Sequence, residues 1–308
     1  MDIWKILSEI GVRNVKDIKE LYGGLRCLSY LLMSDAGNSV LQIYTDDSRF
    51  QARKKAYIYD IVNKSKVSYL PIPKVIQVGE KEKYCYIIIN YYDGEMISEV
   101  YNKENSIINQ IAEDLVQILS AIHSLDIGNC YGWLGDEELP ETQNLEEYLY
   151  RELERFNDSL IEELNAEDLE KAMNIGKEAV RIILKKVKRK PVLTWYDINP
   201  KNILVENING RYSISGFIDS GAARFGVLEW DFAFIKVNFC KEDNEFENIL
   251  NKYIETGNAI DLDVLNAFIK IVELDDLALQ IRDKKVYDIP RNSTFEYVLI
   301  DLKNKYGK

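Results

Sequence analysis

Three polar residues in the middle of the chain have the types and spacing needed to act on a phosphorylated ligand. Asp197 is followed five residues later by Asn202, and Asp219 comes at the end of the next strand-like run. Phosphoryl transfer needs one carboxylate that orients the attacking hydroxyl and accepts its proton. It also needs an amide oxygen and a second carboxylate that hold Mg²⁺. The sequence therefore predicts a phosphoryl-transfer centre at these three residues.

A β-hairpin is the element that would bring these residues together. Strand-like runs at residues 203–205 and 212–218 flank Asn209 and Gly210. An Asn-Gly pair between such runs is a strong signal for a tight hairpin turn. We therefore expect Asn202 to open the first strand and Asp219 to close the second.

The rest of the chain changes character near residue 93. Before it, strand-like runs surround one predicted helix at residues 50–63, and after it apolar residues recur at helical spacing. The clearest stripe consists of Ile108, Ile111, Leu115, Ile118 and Ile122. We predict an α+β protein with two lobes, residues 1–93 and residues 94–308, the second holding helices near 145–160 and 169–187.

Composition excludes several classes of protein. The 308 residues include 39 basic and 51 acidic side chains, a net charge of -12, which argues against nucleic-acid binding. The same charge slightly favours a cationic partner, the alternative being that it serves solubility alone. We find no signal peptide at the start and no apolar run long enough for a membrane span, so no membrane partner is expected. Four scattered cysteines indicate neither zinc nor disulfides and favour the cytoplasm.

Several short motifs, taken in order, resemble those of one family. Asp197 with Asn202, Ile203 and Leu204 is similar to the catalytic loop of the aminoglycoside phosphotransferase family, within the protein-kinase-like superfamily of small-molecule kinases. Residues 218–219 and 231–233 are similar to its metal motif. The resemblance extends over most of residues 17–235. It implies a protein-kinase-like bilobal fold, with a small strand-rich N-lobe for nucleotide and a larger, mostly helical C-lobe for catalysis and substrate.

The resemblance also implies roles for the central residues. Asp197 would be the catalytic base, and Asn202 and Asp219 would be Mg²⁺ ligands. Asp231 would brace the catalytic loop, whereas His123 is expected to be structural at the end of a helix.

Further roles concern the nucleotide, ATP or GTP. The backbone of Asn90 and Tyr92 would meet the base, and the turn from Gly24 to Ser29 would lie over the phosphates.

Two positions depart from the family pattern. The family places a lysine or arginine in a strand where this chain has Gln42, and it pairs that cation with a helix glutamate where this chain has Lys54 or Lys55. One hypothesis is that Lys54 or Lys55 supplies from the helix the charge that the strand has lost. The alternative is that both lysines are surface residues and that phosphate binding is impaired.

These observations leave two functions open. The first is a kinase that transfers the γ-phosphate of ATP or GTP to a hydroxyl of a small polar molecule, with an aminoglycoside-like antibiotic as the first choice of acceptor. The second, favoured by Gln42 and the missing glutamate, is a pseudokinase that binds nucleotide or serves as a structural module. Acidic candidates for the acceptor pocket are Glu147, Glu152, Glu154 and Asp231.

Overall fold

The protein combines an antiparallel-sheet N-lobe with a helical C-lobe, which confirms the predicted α+β, protein-kinase-like class. The structure, a computed structural model, describes residues 2–21, 27–45, 48–65, 70–104, 106–126, 128–133 and 141–287, without the side chains of 280 and 282–287. The chain packs as two compact units, Met1–Val100 with Asn202–Gly221 and Tyr101–Lys201 with Ala222–Lys308. Within the described part, no helix is both long and apolar enough to cross a membrane.

The first unit is built on a five-stranded antiparallel sheet with helices on its two faces. Its strands have the order β1-β2-β3-β5-β4. The residue bounds are β1 Asp17–Leu21, β2 Leu28–Met33, β3 Ser39–Tyr44, β4 Val75–Lys81 and β5 Tyr84–Asn90, with helices α1 Ile3–Glu9 and α2 Phe50–Asn63. Helix α2 has the predicted bounds, whereas α1 was not predicted.

The two helices bury alternate residues of the sheet. Side chains of α1 pack with Leu41 and Ile43 of β3 in one buried cluster. Because successive strand residues point to opposite faces, Gln42 points to the other face, where α2 packs against β3, β4 and β5. The strand alternation therefore directs Gln42 toward the helix that carries Lys54 and Lys55.

The predicted hairpin belongs to the first unit. Strands β9 (Ile203–Ile208) and β10 (Arg211–Phe217) pair antiparallel around Asn209 and Gly210, whose φ angles of 55° and 88° suit a tight turn. A two-residue strand, β6 (Glu95–Met96), pairs with β9 and leads into α3 (Ile97–Val100). This pairing explains why residues 202–221 pack with the first unit, whereas the predicted lobes were continuous stretches of chain.

The second unit consists of helices and one small sheet. Its helices are α4 Ile107–His123, α5 Leu145–Leu160, α6 Ala166–Lys186, α7 Glu229–Phe234, α8 Asp243–Glu255 and α9 Leu262–Tyr287, and its strands are β7 Gly132–Trp133, β8 Val192–Thr194 and β11 Arg224–Gly226. A π-helical turn, Ile235–Phe239, follows α7. The helix predicted to begin at residue 169 begins earlier, because the Asn165 side chain accepts the Asp168 N–H at 3.0 Å as an N-cap.

Candidate active site

The hairpin brings the two predicted metal ligands to the same end of the first unit. The N–H of Ile218 donates to the Asn202 carbonyl at 2.9 Å, one step beyond the last strand pair, Ile203 with Phe217. Asp219 follows at once with a φ of 61°, the left-handed region that a non-glycine residue rarely adopts. The sequence was therefore right that a hairpin joins these positions.

Lys55 of helix α2 forms an ion pair with Asp219. Its Nζ lies 2.8 Å from Asp219 Oδ1, and the lysine side chain is 5% exposed whereas that of Asp219 is 45% exposed. The same carboxylate oxygen also accepts the N–H of Gly221 at 3.1 Å. The cation is thus buried, while the carboxylate keeps a face toward solvent.

Gln42 completes the surroundings of this ammonium group. Its side-chain oxygen accepts from Lys55 Nζ at 3.4 Å and from the Tyr44 hydroxyl at 2.9 Å. Burial alone would lower the pKa of Lys55, but Asp219 opposes that effect and, with smaller contributions from neighbouring groups, holds the pKa well above its usual range. Lys55 therefore carries its charge at neutral pH.

Lys54, the other candidate lysine, holds the backbone instead. Its Nζ donates to the Gly221 carbonyl at 2.8 Å, and the residue is buried. The expectation that both lysines are surface residues is therefore wrong, because α2 packs this face against the loop after β10. The carboxylate of Asp219 is contacted by Lys55.

The residues predicted to meet the nucleotide are only partly described. Gly24 lies outside the described residues, whereas Ser29 is in cross-strand register with Gln42. At the end of β5, the Asn90 N–H donates to the Lys74 carbonyl at 3.1 Å and the Asn90 side chain accepts the Lys74 N–H at 2.6 Å. A contact from Asn90 to a base would therefore come from its carbonyl.

The connector after β5, residues 91–94, contacts both Ile72 and the hairpin within the first unit. The Tyr92 hydroxyl donates to the Ile72 carbonyl at 3.0 Å, and the Ser215 hydroxyl donates to the Asp93 carbonyl at 2.7 Å. Gly94 has a φ of 145°, and a Cβ there would lie 2.4 Å from Ser215 Oγ. This close approach requires glycine.

In the second unit, Asp197 lies half-buried in a loop that its neighbours organise. Asn199 donates from Nδ2 to Asp197 Oδ1 at 2.6 Å, while its own Oδ1 accepts the Lys201 N–H at 2.9 Å. Asn199 was not predicted as a functional residue. Its position two residues after the aspartate, in an Asn-Pro turn, was the available signal.

Asp231 braces this loop through hydrogen bonds to its backbone, as the resemblance led us to expect. Its fully buried carboxylate accepts the N–H of Trp195 at 2.8 Å and that of Tyr196 at 2.7 Å. His123 Nε2 lies 3.0 Å from the same carboxylate, and His123 Nδ1 lies 2.8 Å from the Tyr253 hydroxyl. Both residues are structural supports, so Asp231 is wrong as a pocket candidate.

Tyr196, directly before Asp197, contacts the buried charged residues Arg224 and Asp275. Its φ is 71°, its ring lies 3.4 Å from the guanidinium carbon of Arg224, and its hydroxyl donates to Asp275 at 3.0 Å. Arg224 donates to Glu152 at 2.9 Å. Glu152 is buried in this network, so it is also wrong as a pocket candidate.

Helix α9 carries acidic residues near Asp197 that were not predicted as part of the site. Burial raises the pKa of Asp276 to about 7, with smaller contributions from Asp275, Asp197 and Glu273, while a hydrogen bond from Asn238 opposes the rise. The signal available in the sequence was the acidic run at 273–276 within a helix.

The donor set in the first unit fits Mg²⁺. Mg²⁺ binds through one or two carboxylates and hard oxygen ligands, with substrate phosphates completing its shell. Asn202 and Asp219 supply an amide and a carboxylate at neighbouring hairpin ends, and the carboxylate is accessible. Among the described residues, no three acidic, histidine or cysteine side chains gather into a cluster that could hold a metal by itself.

Comparisons with known proteins agree with this fold. The sequence profile of the phosphotransferase enzyme family matches residues 17–263. An aminoglycoside 3'-phosphotransferase from Enterococcus faecalis is 24% identical over 272 residues, which cover 85% of this chain and 95% of that protein.

Solved structures are similar along nearly the whole chain. A thermostable mutant of aminoglycoside phosphotransferase APH(4)-Ia, in a ternary complex with AMP-PNP and hygromycin B, has a TM-score of 0.72 at 16% identity, covering 99% of this chain and 98% of that one. A GDP complex of an aminoglycoside 2'-phosphotransferase-IIIa mutant has a TM-score of 0.70 at 14% identity, covering 98% and 96%.

Proposed function

Because this chain belongs to the phosphotransferase enzyme family, and is thus a small-molecule kinase, we propose that it transfers the γ-phosphate of ATP or GTP to a hydroxyl of a small polar molecule in an Mg²⁺-dependent reaction. The observation that carries the proposal is the hairpin that sets Asn202 beside Asp219. Residues 1–93 are the proposed nucleotide-binding lobe, and residues 94–308 are the proposed catalytic and substrate-binding lobe.

Asp197 is the proposed base. It would orient the acceptor hydroxyl and take its proton, and Asn199 would hold the carboxylate in position. Asn202 and Asp219 would hold Mg²⁺, which supplies charge neutralisation at the phosphates when bound. Catalysis would come from positioning and electrostatic stabilisation, with no covalent intermediate.

The nucleotide would be held by residues of the first unit. The Asn90 carbonyl and the Tyr92 backbone would meet the base, and Gly24 and Ser29 would border the phosphates. Lys55 would provide the phosphate-facing charge, since its ammonium lies against Asp219 and Gln42 is neutral. Lys54 would act indirectly, by holding the Gly221 carbonyl in the loop after Asp219.

A cationic acceptor, with an aminoglycoside-like antibiotic as first choice, is favoured by the charge near Asp197. Asp276 on α9 lies close enough to Asp197, and to Asp275 and Glu273, for each of them to raise its pKa. The three similar proteins described above are aminoglycoside phosphotransferases by name. The net charge of -12 also favours a cationic acceptor, and it argues against a nucleic-acid partner.

The proposed setting is the cytoplasm. It rests on four cysteines that form no disulfide in the described chain.

Transfer of labelled γ-phosphate tests the proposal. The protein is incubated with Mg²⁺, ATP or GTP, and a panel of hydroxyl-bearing amines, including aminoglycosides, beside neutral polyols. We expect transfer to at least one cationic acceptor, and a loss of about 100-fold or more in Asp197→Asn, the usual size of a general-base contribution. Nucleotide binding without transfer to any acceptor would instead favour the pseudokinase alternative.

A further inference from the structure

We propose that Lys55 couples metal binding to nucleotide binding, because its buried ammonium shares the Asp219 carboxylate with the Mg²⁺ site and disfavours a divalent cation that arrives without phosphate. The inference rests on the proposed function in taking Asp219 as a metal ligand. It adds a role for Lys55 that is specific to this chain: Lys55 would be a positioning residue for the metal site and a partner of the phosphates.

The Asp219 carboxylate is shared through one of its oxygens. Lys55 Nζ lies 2.8 Å from Asp219 Oδ1, and the Gly221 N–H donates to the same oxygen at 3.1 Å. That oxygen is therefore already engaged by a full positive charge and by a backbone donor. A metal ion on this carboxylate would have an ammonium group as its near neighbour.

The Lys55 side chain has little room to move away from Asp219. Its side chain is 5% exposed, and its Nζ is also held by Gln42 at 3.4 Å. A Cβ built on Gly221 would lie 3.1 Å from Lys55 Cε, which shows how closely the loop covers the lysine. A cation so enclosed repels a divalent ion strongly, because the surroundings screen it less than water does.

The positive charge lies on helix α2, at Lys55, instead of on strand β3, at position 42. In the family pattern, a lysine at position 42 would pair with a glutamate at position 54 or 55, which would place a carboxylate where this chain has an ammonium. Here Gln42 is neutral and Lys55 itself contacts Asp219. Phosphate oxygens would relieve the repulsion by pairing with both cations, so metal and nucleotide would bind with positive coupling.

Free Mn²⁺ is the probe for the first measurement. Its binding to the full chain is followed by the electron paramagnetic resonance signal of the unbound ion, for wild type and Lys55→Met. We expect Lys55→Met to bind free Mn²⁺ at least about tenfold more tightly, a coupling of ordinary size. Thermal unfolding and circular dichroism check the fold, and Lys55→Gln, which keeps a hydrogen-bond donor without the charge, replaces Lys55→Met if that variant does not fold.

Two further variants locate the effect. Lys64→Met removes an exposed lysine, paired with the exposed Asp60, and is expected to leave Mn²⁺ affinity unchanged. Asp219→Asn, added to Lys55→Met, is expected to abolish the gained binding. A gain below about threefold in Lys55→Met, an equal gain in Lys64→Met, or a gain that survives Asp219→Asn would overturn the proposal.

Measurements of nucleotide binding distinguish a failure of this proposal from a failure of the proposed function. ADP affinity is measured with and without Mn²⁺. We expect the factor by which Mn²⁺ tightens ADP binding to fall at least about fivefold in Lys55→Met. Nucleotide binding by wild type with an unchanged ratio would overturn the coupling while leaving the proposed function intact. Wild type that binds no nucleotide, with a Lys55→Met variant that gains the Mn²⁺ site at Asp219, would support the shared carboxylate and contradict the proposed function.

Discussion

At the scale of single residues, two positions next to the proposed chemistry hold costly backbone conformations. Tyr196 has a φ of 71° and Asp219 a φ of 61°. Such conformations cost about 1–3 kcal/mol in non-glycine residues and persist only where the surroundings enforce them. Here the enforcing groups are visible: Asp231 and Asp275 hold Tyr196, while Lys55 and Gly221 hold Asp219.

The identities of the central residues could be read from the sequence, but their partners could not. Asp197, Asn202 and Asp219 have the residue types that phosphoryl transfer needs, and they match motifs of the family that the chain resembles, so the sequence pointed to them. The ion pair between Lys55 and Asp219 joins residues far apart in sequence, and nothing in the helix pattern distinguished Lys55 from Lys54. The packing of α2 against the loop after β10 is what brings Lys55 to the carboxylate.

Asp231→Asn tests the brace under the Asp197 loop. The amide can accept fewer hydrogen bonds than the carboxylate, so a buried N–H of Trp195 or Tyr196 loses its partner. We expect a loss of about 1–3 kcal/mol in the free energy of unfolding, measured by urea denaturation, with a larger relative loss of transfer rate than of nucleotide affinity.

Asp60→Asn is the matched control. Asp60 is exposed and pairs with the exposed Lys64, so the same chemical change should cost less than about 0.5 kcal/mol. Equal stability of Asp231→Asn and wild type would contradict the bracing role.

At the scale of elements, the hairpin and the connector hold each other in the first unit. Strand β6 pairs with β9, and Ser215 of β10 donates to the Asp93 carbonyl. Helix α2 and the hairpin were predictable, because a helical run and an Asn-Gly turn are local signals. The two-residue strand β6 was not, since a pairing that short has no pattern of its own.

Gly94→Ala tests this junction. An alanine at position 94 would have to adopt a φ of 145°. Its Cβ would lie 2.4 Å from Ser215 Oγ and 2.9 Å from the Val205 carbonyl. We expect it to cost more than about 2 kcal/mol in the free energy of unfolding, because strain and steric overlap add.

Gly37→Ala separates the two contributions. Gly37 also has a positive φ, 115°, but nothing lies within 4 Å of its Cβ position, so only backbone strain of about 1 kcal/mol is expected. If both variants lose equal stability, the contact between connector and hairpin is not what requires glycine at position 94.

At the scale of the whole molecule, the chain is acidic, and its second unit concentrates carboxylates on α9 near Asp197. The net charge is -12, and burial is the largest cause of the raised pKa of Asp276, about 7. The overall charge was readable from composition. The placement of the 273–276 run was not, because it depends on how α9 packs beside the Asp197 loop.

This cluster predicts the pH dependence of stability. An aspartate with a folded pKa of about 7 and an unfolded value of 3.8 binds more protons in the folded state between those values. The stability it contributes is therefore present at low pH and is lost as the pH rises through about 7. We expect the unfolding free energy of wild type to fall by roughly 1–3 kcal/mol from pH 5 to pH 8 through this group.

Asp276→Asn should remove that part of the slope, whereas Glu178→Gln, at an exposed position on α6, should leave it unchanged. Urea denaturation at several pH values measures all three proteins. Identical slopes for wild type and Asp276→Asn would show that Asp276 is not the group responsible.

The central claim is that Asp219 belongs to an Mg²⁺-dependent nucleotide site, and thermal stability tests it most directly. The protein is melted with ATP, GTP or neither, each with and without Mg²⁺, beside Asp219→Ala, and every shift is taken relative to the same protein without ligand. A ligand at a hundred times its Kd stabilises the folded state by about 2.7 kcal/mol. We predict an Mg²⁺-dependent shift in wild type that disappears in Asp219→Ala. No shift at millimolar nucleotide, or a shift that survives the substitution, would contradict the account.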